Sequence, residues 1–331
     1  MAPNPDYDRL IDAETWAFIH ETERWYPPEA AGFTIAEQRA VYDRMCSAFR
    51  RGRPPGVTAV DRPFGDVPCR LYAPPGGGLP GWLVYFPGGG FVVGGLDSHD
   101  DICAELCAGT GLCTVSVDYR LSPEHPHPAA FADALAATRA IAAEGGSPIV
   151  LAGDSAGGNL AAAVSHAVRR TGPAIAGQVL IYPGLGGDMS AGSHVIHAHA
   201  PMLTRADLLF YRGVRYPGGV VPDRPDPTAD PLADEDFSGL PPTLAIAAEC
   251  DPLADDARAY AARIVSAGGR ALSVEEAGLV HGYLRARHSV GRAAAGFARI
   301  TSAIASLARG EWPPTAPESS AVPAFCPAAR P

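Results

Sequence analysis

Gly153-Asp154-Ser155-Ala156-Gly157 constrains this chain more than any other stretch. It fits the pattern G-x-S-x-G, and its neighbours supply the context that the pattern needs. Ser147 to Ala152 reads as a short apolar strand, and Gly158 to Val164 as the start of an Ala-rich helix. A sharp turn from strand to helix strains the serine backbone and lifts its hydroxyl clear of the sheet. Small residues flank the serine because strand and helix nearly touch there. The helix N-terminus also presents free N–H groups to a developing oxyanion. Among 37 glycines the bare pattern equally describes a Gly-rich turn; the strand-turn-helix context favours the elbow.

The rest of the chain supplies a matching frame. Trp82 to Phe86 is a continuous apolar run, as expected of a strand buried on both faces. From there strands and helices alternate: a helix over about 99–109, a strand 113–117, a helix 129–144, the elbow, a strand 178–182, a strand 243–248, a helix 253–267, a strand 271–275 and a helix 289–307. This rhythm predicts an α/β fold with a mostly parallel sheet and helices on both faces. Upstream, residues 6–50 read as helical, with Thr34-Ile35-Ala36-Glu37 as a capping box, and two strands follow, 57–61 and 67–72. The expected division is a helical cap segment over 1–55, a catalytic domain over 56–187 and 228–310, a cap insertion over 188–227, and a disordered tail over 311–331.

Composition excludes some classes of function. Hydrophobic residues make up 47% of 331, enough for a large core, and the net charge of −10 argues against nucleic acid and anionic membranes as partners. The start, Met1-Ala2-Pro3-Asn4-Pro5-Asp6, is polar, and no apolar run reaches a membrane span. Seven cysteines without a C-x-x-C read as reduced thiols. A cytoplasmic location is expected.

A serine hydroxyl is a weak nucleophile and needs a base held by a carboxylate. On elbow-bearing sheets these follow in the order Ser, acid, His, each in a loop after a strand. Asp251 after strand 243–248 and His281 after strand 271–275 fit. Asp255 and Asp256 fall inside the next helix and read as solvated, and His288 reads as surface. Asp251 has a second reading as a helix N-cap. Pro87-Gly88-Gly89-Gly90 follows a buried strand, and its glycines let backbone N–H groups approach a substrate oxygen. The expected oxyanion donors are Gly88, Gly89 and Ala156. Gly76 to Gly78 reads as a plain turn. His194, His197 and His199 match no standard metal spacing, and no helix is expected there.

Several segments taken together resemble the hormone-sensitive-lipase-like carboxylesterases of the α/β-hydrolase superfamily over about 61–308. They are Gly89 to Asp100, Val117-Asp118-Tyr119-Arg120-Leu121-Ser122-Pro123-Glu124-His125-Pro126, Gly153 to Gly158, Asp251-Pro252-Leu253 and His281-Gly282-Tyr283. The resemblance implies an α/β-hydrolase sheet of about eight strands, a helical cap, and Ser155, Asp251 and His281 as a catalytic triad without metal or organic cofactor. It implies a small ester as substrate, and Tyr119, Arg120 and Glu124 as scaffold. A homodimer through the last helix is a further expectation. The departure is Pro87, where the family carries the histidine of its HGGG loop. Proline fixes its own φ and keeps Phe86 extended. Phe91, Val92, Leu203 and Phe210 are the expected walls of the substrate pocket. The leading expectation is a serine carboxylesterase for short- to medium-chain esters. The alternatives are a non-hydrolytic biosynthetic relative (lyase, cyclase or acyl transferase) and a ligand-binding pseudo-hydrolase.

Overall fold

The computed structural model describes residues 5–312, apart from 28, 29, 31, 217 and 219–223. The expected tail falls almost wholly outside the described residues.

Eight strands form one sheet in the order β1-β2-β4-β3-β5-β6-β7-β8. They are β1 (Thr58–Asp61), β2 (Cys69–Ala73), β3 (Leu79–Phe86), β4 (Leu112–Val117), β5 (Ile149–Asp154), β6 (Gly177–Ile181), β7 (Thr243–Cys250) and β8 (Ala271–Val280). β1 pairs antiparallel with β2, and β2 with β4; the other neighbours run parallel. The central strands are the apolar ones: every residue of β5 and β6 is buried, as are Leu83 to Phe86 of β3. Strands covered on both faces need such runs rather than alternation.

The helices are α1 (Tyr7–Leu10), α2 (Ala13–Trp25), α3 (Ile35–Phe49), α4 (Asp100–Thr110), α5 (Ala129–Ala143), α6 (Ala156–Val168), α7 (Ser193–Ile196), α8 (Arg205–Arg215), α9 (Ala254–Ser266) and α10 (Gly291–Ala308). One face of the sheet is covered by α4 and α10, through Ile102, Leu106, Ile300 and Ile304. The other is covered by α5, α6 and α9, through Ile141, Leu160, Val164 and Ile264. Val290 and Leu307 of the last segment also enter the core, and Phe297 packs against it, so this apolar stripe is spent within the chain.

α2, α3 and α8 stand above the carboxyl ends of the strands. The Thr34 capping box of α3 is present: the Glu37 N–H donates to Thr34 Oγ1 (3.3 Å), and Glu37 Oε2 accepts from the Thr34 N–H (2.9 Å). α8 opens with a second such box between Thr204 and Asp207. The insertion also contains α7, one short turn where no helix is expected. Four residues carry too little periodicity to read from sequence.

Candidate active site

β5 ends at Asp154, and the chain turns at Ser155 with φ 55° and ψ −118° before α6 begins. Such a positive φ is strained for a residue with a Cβ and persists only where neighbours enforce it. Gly157 is part of that enforcement, since a Cβ there would drive into the Phe86 carbonyl. β7 ends one residue before Asp251, and β8 one residue before His281. The three side chains therefore leave the same sheet edge, where ligands bind in open parallel sheets.

They meet in a continuous chain. His281 Nε2 lies 2.9 Å from Ser155 Oγ, and His281 Nδ1 lies 2.7 Å from Asp251 Oδ2. Asp251 is fully buried, and its other oxygen accepts the Leu253 N–H at 2.9 Å. Asp251 is thus the partner of the histidine and is not a helix N-cap: α9 begins at Ala254 with Leu253 as its N-cap, and the Asp251 carboxylate holds only the turn before it. The Tyr182 ring lies 4.8 Å from the imidazole and walls it. Nothing in the sequence singles out Tyr182; it follows β6 just as Asp251 follows β7.

The glycine loop departs from expectation. Gly88 is not a free donor, because its N–H donates to Asp154 Oδ1 at 2.9 Å. The Pro87 carbonyl, on the other end of the same peptide plane, accepts the Tyr119 hydroxyl at 2.6 Å. This plane is clamped at both ends, so the next two amides take their direction from it. Gly89 (φ 139°) and Gly90 line the cavity, whereas Gly88 does not. A Cβ on Gly89 would strike the Val93 carbonyl, so only glycine permits this path. The Gly89 carbonyl accepts the N–H groups of Val92 and Val93, both at 3.0 Å. That bond turns the Gly90 N–H, on the opposite side of the same peptide, away from them. Ala156 is the first residue of α6, and its N–H has no carbonyl within the helix to meet.

Asp154 is the hub beneath the loop. Besides Gly88 it accepts the Tyr85 hydroxyl at 2.8 Å and faces His99 Nε2 at 3.1 Å. Burial alone would raise its pKa; His99, Tyr85 and the Gly88 amide outweigh burial and hold it at about 2. Tyr119 acts as scaffold in the manner described, while Arg120 pairs with Asp133 (2.8 Å) and Glu124 with Arg39 (2.7 Å).

Above the triad lies a cavity of about 630 Å³. Phe91, Leu203 and Phe210 line it as expected. Val92 does not: it is fully buried in the core, and Val93 takes the wall position. This turn is irregular, so strand alternation does not predict which valine faces the cavity. Tyr42 and Met45 from α3, and Tyr211 and Arg215 from α8, complete the walls. Arg215 lies 3.7 Å above the Phe91 ring.

The remaining candidates settle elsewhere. Asp256 is buried rather than solvated: its carboxylate accepts the Leu185 N–H at 2.6 Å and faces His194 Nε2 at 3.2 Å. His197 Nδ1 lies 3.1 Å from the Tyr7 hydroxyl. His288 is exposed and reaches Glu105 at 2.9 Å. Among the described residues the one group with metal-like geometry is Asp101, Glu105 and His288, and both of its carboxylates are already engaged by the Arg287 guanidinium at 2.7 Å. No helix among the described residues is long and apolar enough to cross a membrane.

The chain is similar to known proteins in sequence and in fold. A family model for the alpha/beta hydrolase fold matches residues 83–285. Carboxylesterase NlhH of Mycobacterium tuberculosis is 42% identical over 229 residues, covering 66% of this chain and 72% of its own. The acetyl esterase of Salmonella typhi is 33% identical over 269 residues, covering 77% and 81%. The structure of a hyperthermophilic esterase from Pyrobaculum calidifontis superposes with a TM-score of 0.79 at 32% identity, covering 90% of this chain and 99% of that one. The chain belongs to the hormone-sensitive-lipase-like carboxylesterases of the α/β-hydrolase superfamily and is a carboxylic ester hydrolase.

Proposed function

We propose that the chain hydrolyses short- to medium-chain carboxylic esters through an acyl-enzyme on Ser155. The observation that carries this reading is the unbroken path from Ser155 Oγ through His281 to Asp251. His281 Nε2 takes the Ser155 proton as Oγ attacks the ester carbonyl. Asp251 holds the Nδ1–H tautomer and stabilises the imidazolium that forms. The oxyanion is received by the N–H groups of Gly89, Gly90 and Ala156, each worth about 3 kcal/mol of barrier if well aimed. The imidazolium then passes its proton to the departing alkoxide, which leaves as the alcohol. A water attacks the acyl-serine, His281 takes its proton, and the acid departs as Ser155 recovers its own.

A cavity of about 630 Å³ suits a small or medium ester. The free thiols of Cys46, Cys69, Cys103, Cys107, Cys113 and Cys250 support a reducing, cytoplasmic setting. The test is p-nitrophenyl butyrate hydrolysis by wild type and Ser155→Ala. Turnover that falls by about 10⁴-fold or more in the variant supports the reading. Turnover that persists in Ser155→Ala overturns it.

A further inference from the structure

Arg285 lies four residues beyond His281, in the turn that follows β8, and lines the same cavity. Its side chain is partly buried, and its Nε is sealed from solvent with no hydrogen-bond partner. The guanidinium folds back over the backbone beside His281: a Cβ placed on Gly282 would lie 2.6 Å from Nη2. No carboxylate among the described residues comes within ion-pair distance of it. The titratable groups near enough to interact with its charge include the phenols of Tyr42, Tyr182 and Tyr211, the Cys46 thiol, and Asp154. Burial keeps the phenols and the thiol protonated. Asp154 is already committed to Tyr85, Gly88 and His99. The Tyr42 ring is 5.9 Å from the guanidinium carbon, too far for more than a weak contact.

The other cations of the cavity are engaged. Arg212 reaches Asp230 at 3.1 Å, and Arg215 donates to the Ala229 carbonyl at 3.1 Å. Of the acidic side chains of the cavity, Asp207 caps α8, Asp230 meets Arg212 and Asp256 holds a backbone amide, while Glu23 is exposed at the wall and forms no ion pair with Arg285. Removing an unpaired charge from water is costly, so chains rarely keep one without a counter-ion to receive. A guanidinium presents a planar fork of donors that fits a carboxylate. In a chain of net charge −10, an unmatched cation beside the catalytic histidine is not explained by the general charge of the protein.

We propose that Arg285 is a specificity-determining residue and that this site takes esters carrying a carboxylate, which the guanidinium receives. The proposal rests on the ester-hydrolase reading of the same cavity. The carboxylate belongs either to the acyl part of the ester or to its alcohol part, and two substrate pairs separate these sources. Mono-p-nitrophenyl glutarate against p-nitrophenyl valerate tests the acyl side. 3-Acetoxybenzoate against 3-acetoxybenzamide tests the alcohol side.

The quantity read is the ratio of kcat/KM for the anionic ester to that for its neutral counterpart, so a general loss of activity cancels. Arg285→Met lowers that ratio by about 10- to 100-fold in one of the two pairs, the range of a charged hydrogen bond. Arg285→Lys restores much of it, and Arg285→Gln repeats the effect of Met in case Met disturbs packing. A separate measurement needs no turnover: glutarate and benzoate titrated calorimetrically into Ser155→Ala protein. At least one of these anions binds, and its binding is lost when Arg285→Met is added. Ratios that stay within threefold of wild type in both pairs overturn the proposal, as does anion binding that survives the loss of Arg285. A failure of the serine mechanism reads differently: Ser155→Ala then retains turnover of the neutral esters whatever the ratios show.

Discussion

Tyr119→Phe removes one hydroxyl that touches neither the triad nor the cavity, and the structure specifies what it should cost. The Tyr119 hydroxyl donates to the Pro87 carbonyl at 2.6 Å, and the residue is 5% exposed. Without it a buried carbonyl is left unpaired, which destabilises the fold by about 1–3 kcal/mol. The same peptide plane carries the Gly88 N–H, which Asp154 holds at 2.9 Å. One clamp of two therefore remains, and the plane gains freedom to tilt rather than flip. A fully misaimed oxyanion donor costs about 10²- to 10³-fold in kcat. A donor that is only loosened should cost less, and we expect kcat to fall by about tenfold at little change in KM. Because Tyr119 and Asp154 hold the same plane, their losses should not add: Tyr119→Phe with Asp154→Asn should lose less than the product of the single effects. The assay is kcat and KM on p-nitrophenyl butyrate, beside urea denaturation of each variant. A Tyr119→Phe enzyme with kcat within twofold of wild type would refute the clamp, whatever its stability.

Further outcomes follow from the same contacts. Asp251→Asn should lower kcat by about 10³- to 10⁴-fold by disturbing the imidazole tautomer, read directly from steady-state kinetics, and a loss under tenfold would contradict the assigned role. Asp154, held at about 2 against an ordinary 3.8, contributes stability that is present above pH 4 and is lost as pH falls towards 2. That contribution is about 2 kcal/mol, so denaturation midpoints measured from pH 6 to pH 2.5 should fall more steeply in wild type than in Asp154→Asn.

The parts of this account that were legible in the sequence are those set by local pattern and chain order. The apolar run of β3, the strand-turn-helix around Ser155 and the placement of Asp251 and His281 after strands needed no knowledge of distant contacts. The Thr34 capping box is equally local, and it forms. What escaped was decided at long range. Which glycine amides face the cavity depends on Asp154 and Tyr119, which lie 66 and 32 residues from the peptide that they hold. Asp256 has the position of a solvated helix residue, yet the Leu185 amide, 71 residues away, meets it in the interior. Val92 and Val93 differ in role within a turn that has no period to read. Arg285 follows His281 closely, but only the assembled cavity reveals that no carboxylate among the described residues meets it.

The loop that replaces the family's histidine also acquires a physical explanation. Pro87 lacks an N–H, and its ring keeps Phe86 extended into β3, where Phe86 pairs with Gly153. The loop's orientation comes instead from Tyr119 on one side and Asp154 on the other. The donors themselves are backbone groups and do not depend on the side chain at position 87.

The most direct test of the central claim is to trap the acyl-enzyme chemistry on the protein itself. Wild-type protein would be treated with a p-nitrophenyl phosphonate ester, and its intact mass and peptides read by mass spectrometry. The account predicts one phosphonyl group per chain, located on Ser155, with release of one p-nitrophenolate and loss of esterase activity in step. It also predicts no adduct on Ser155→Ala and much slower labelling of His281→Ala. Labelling at another residue, or full inactivation with Ser155 unmodified, would contradict it.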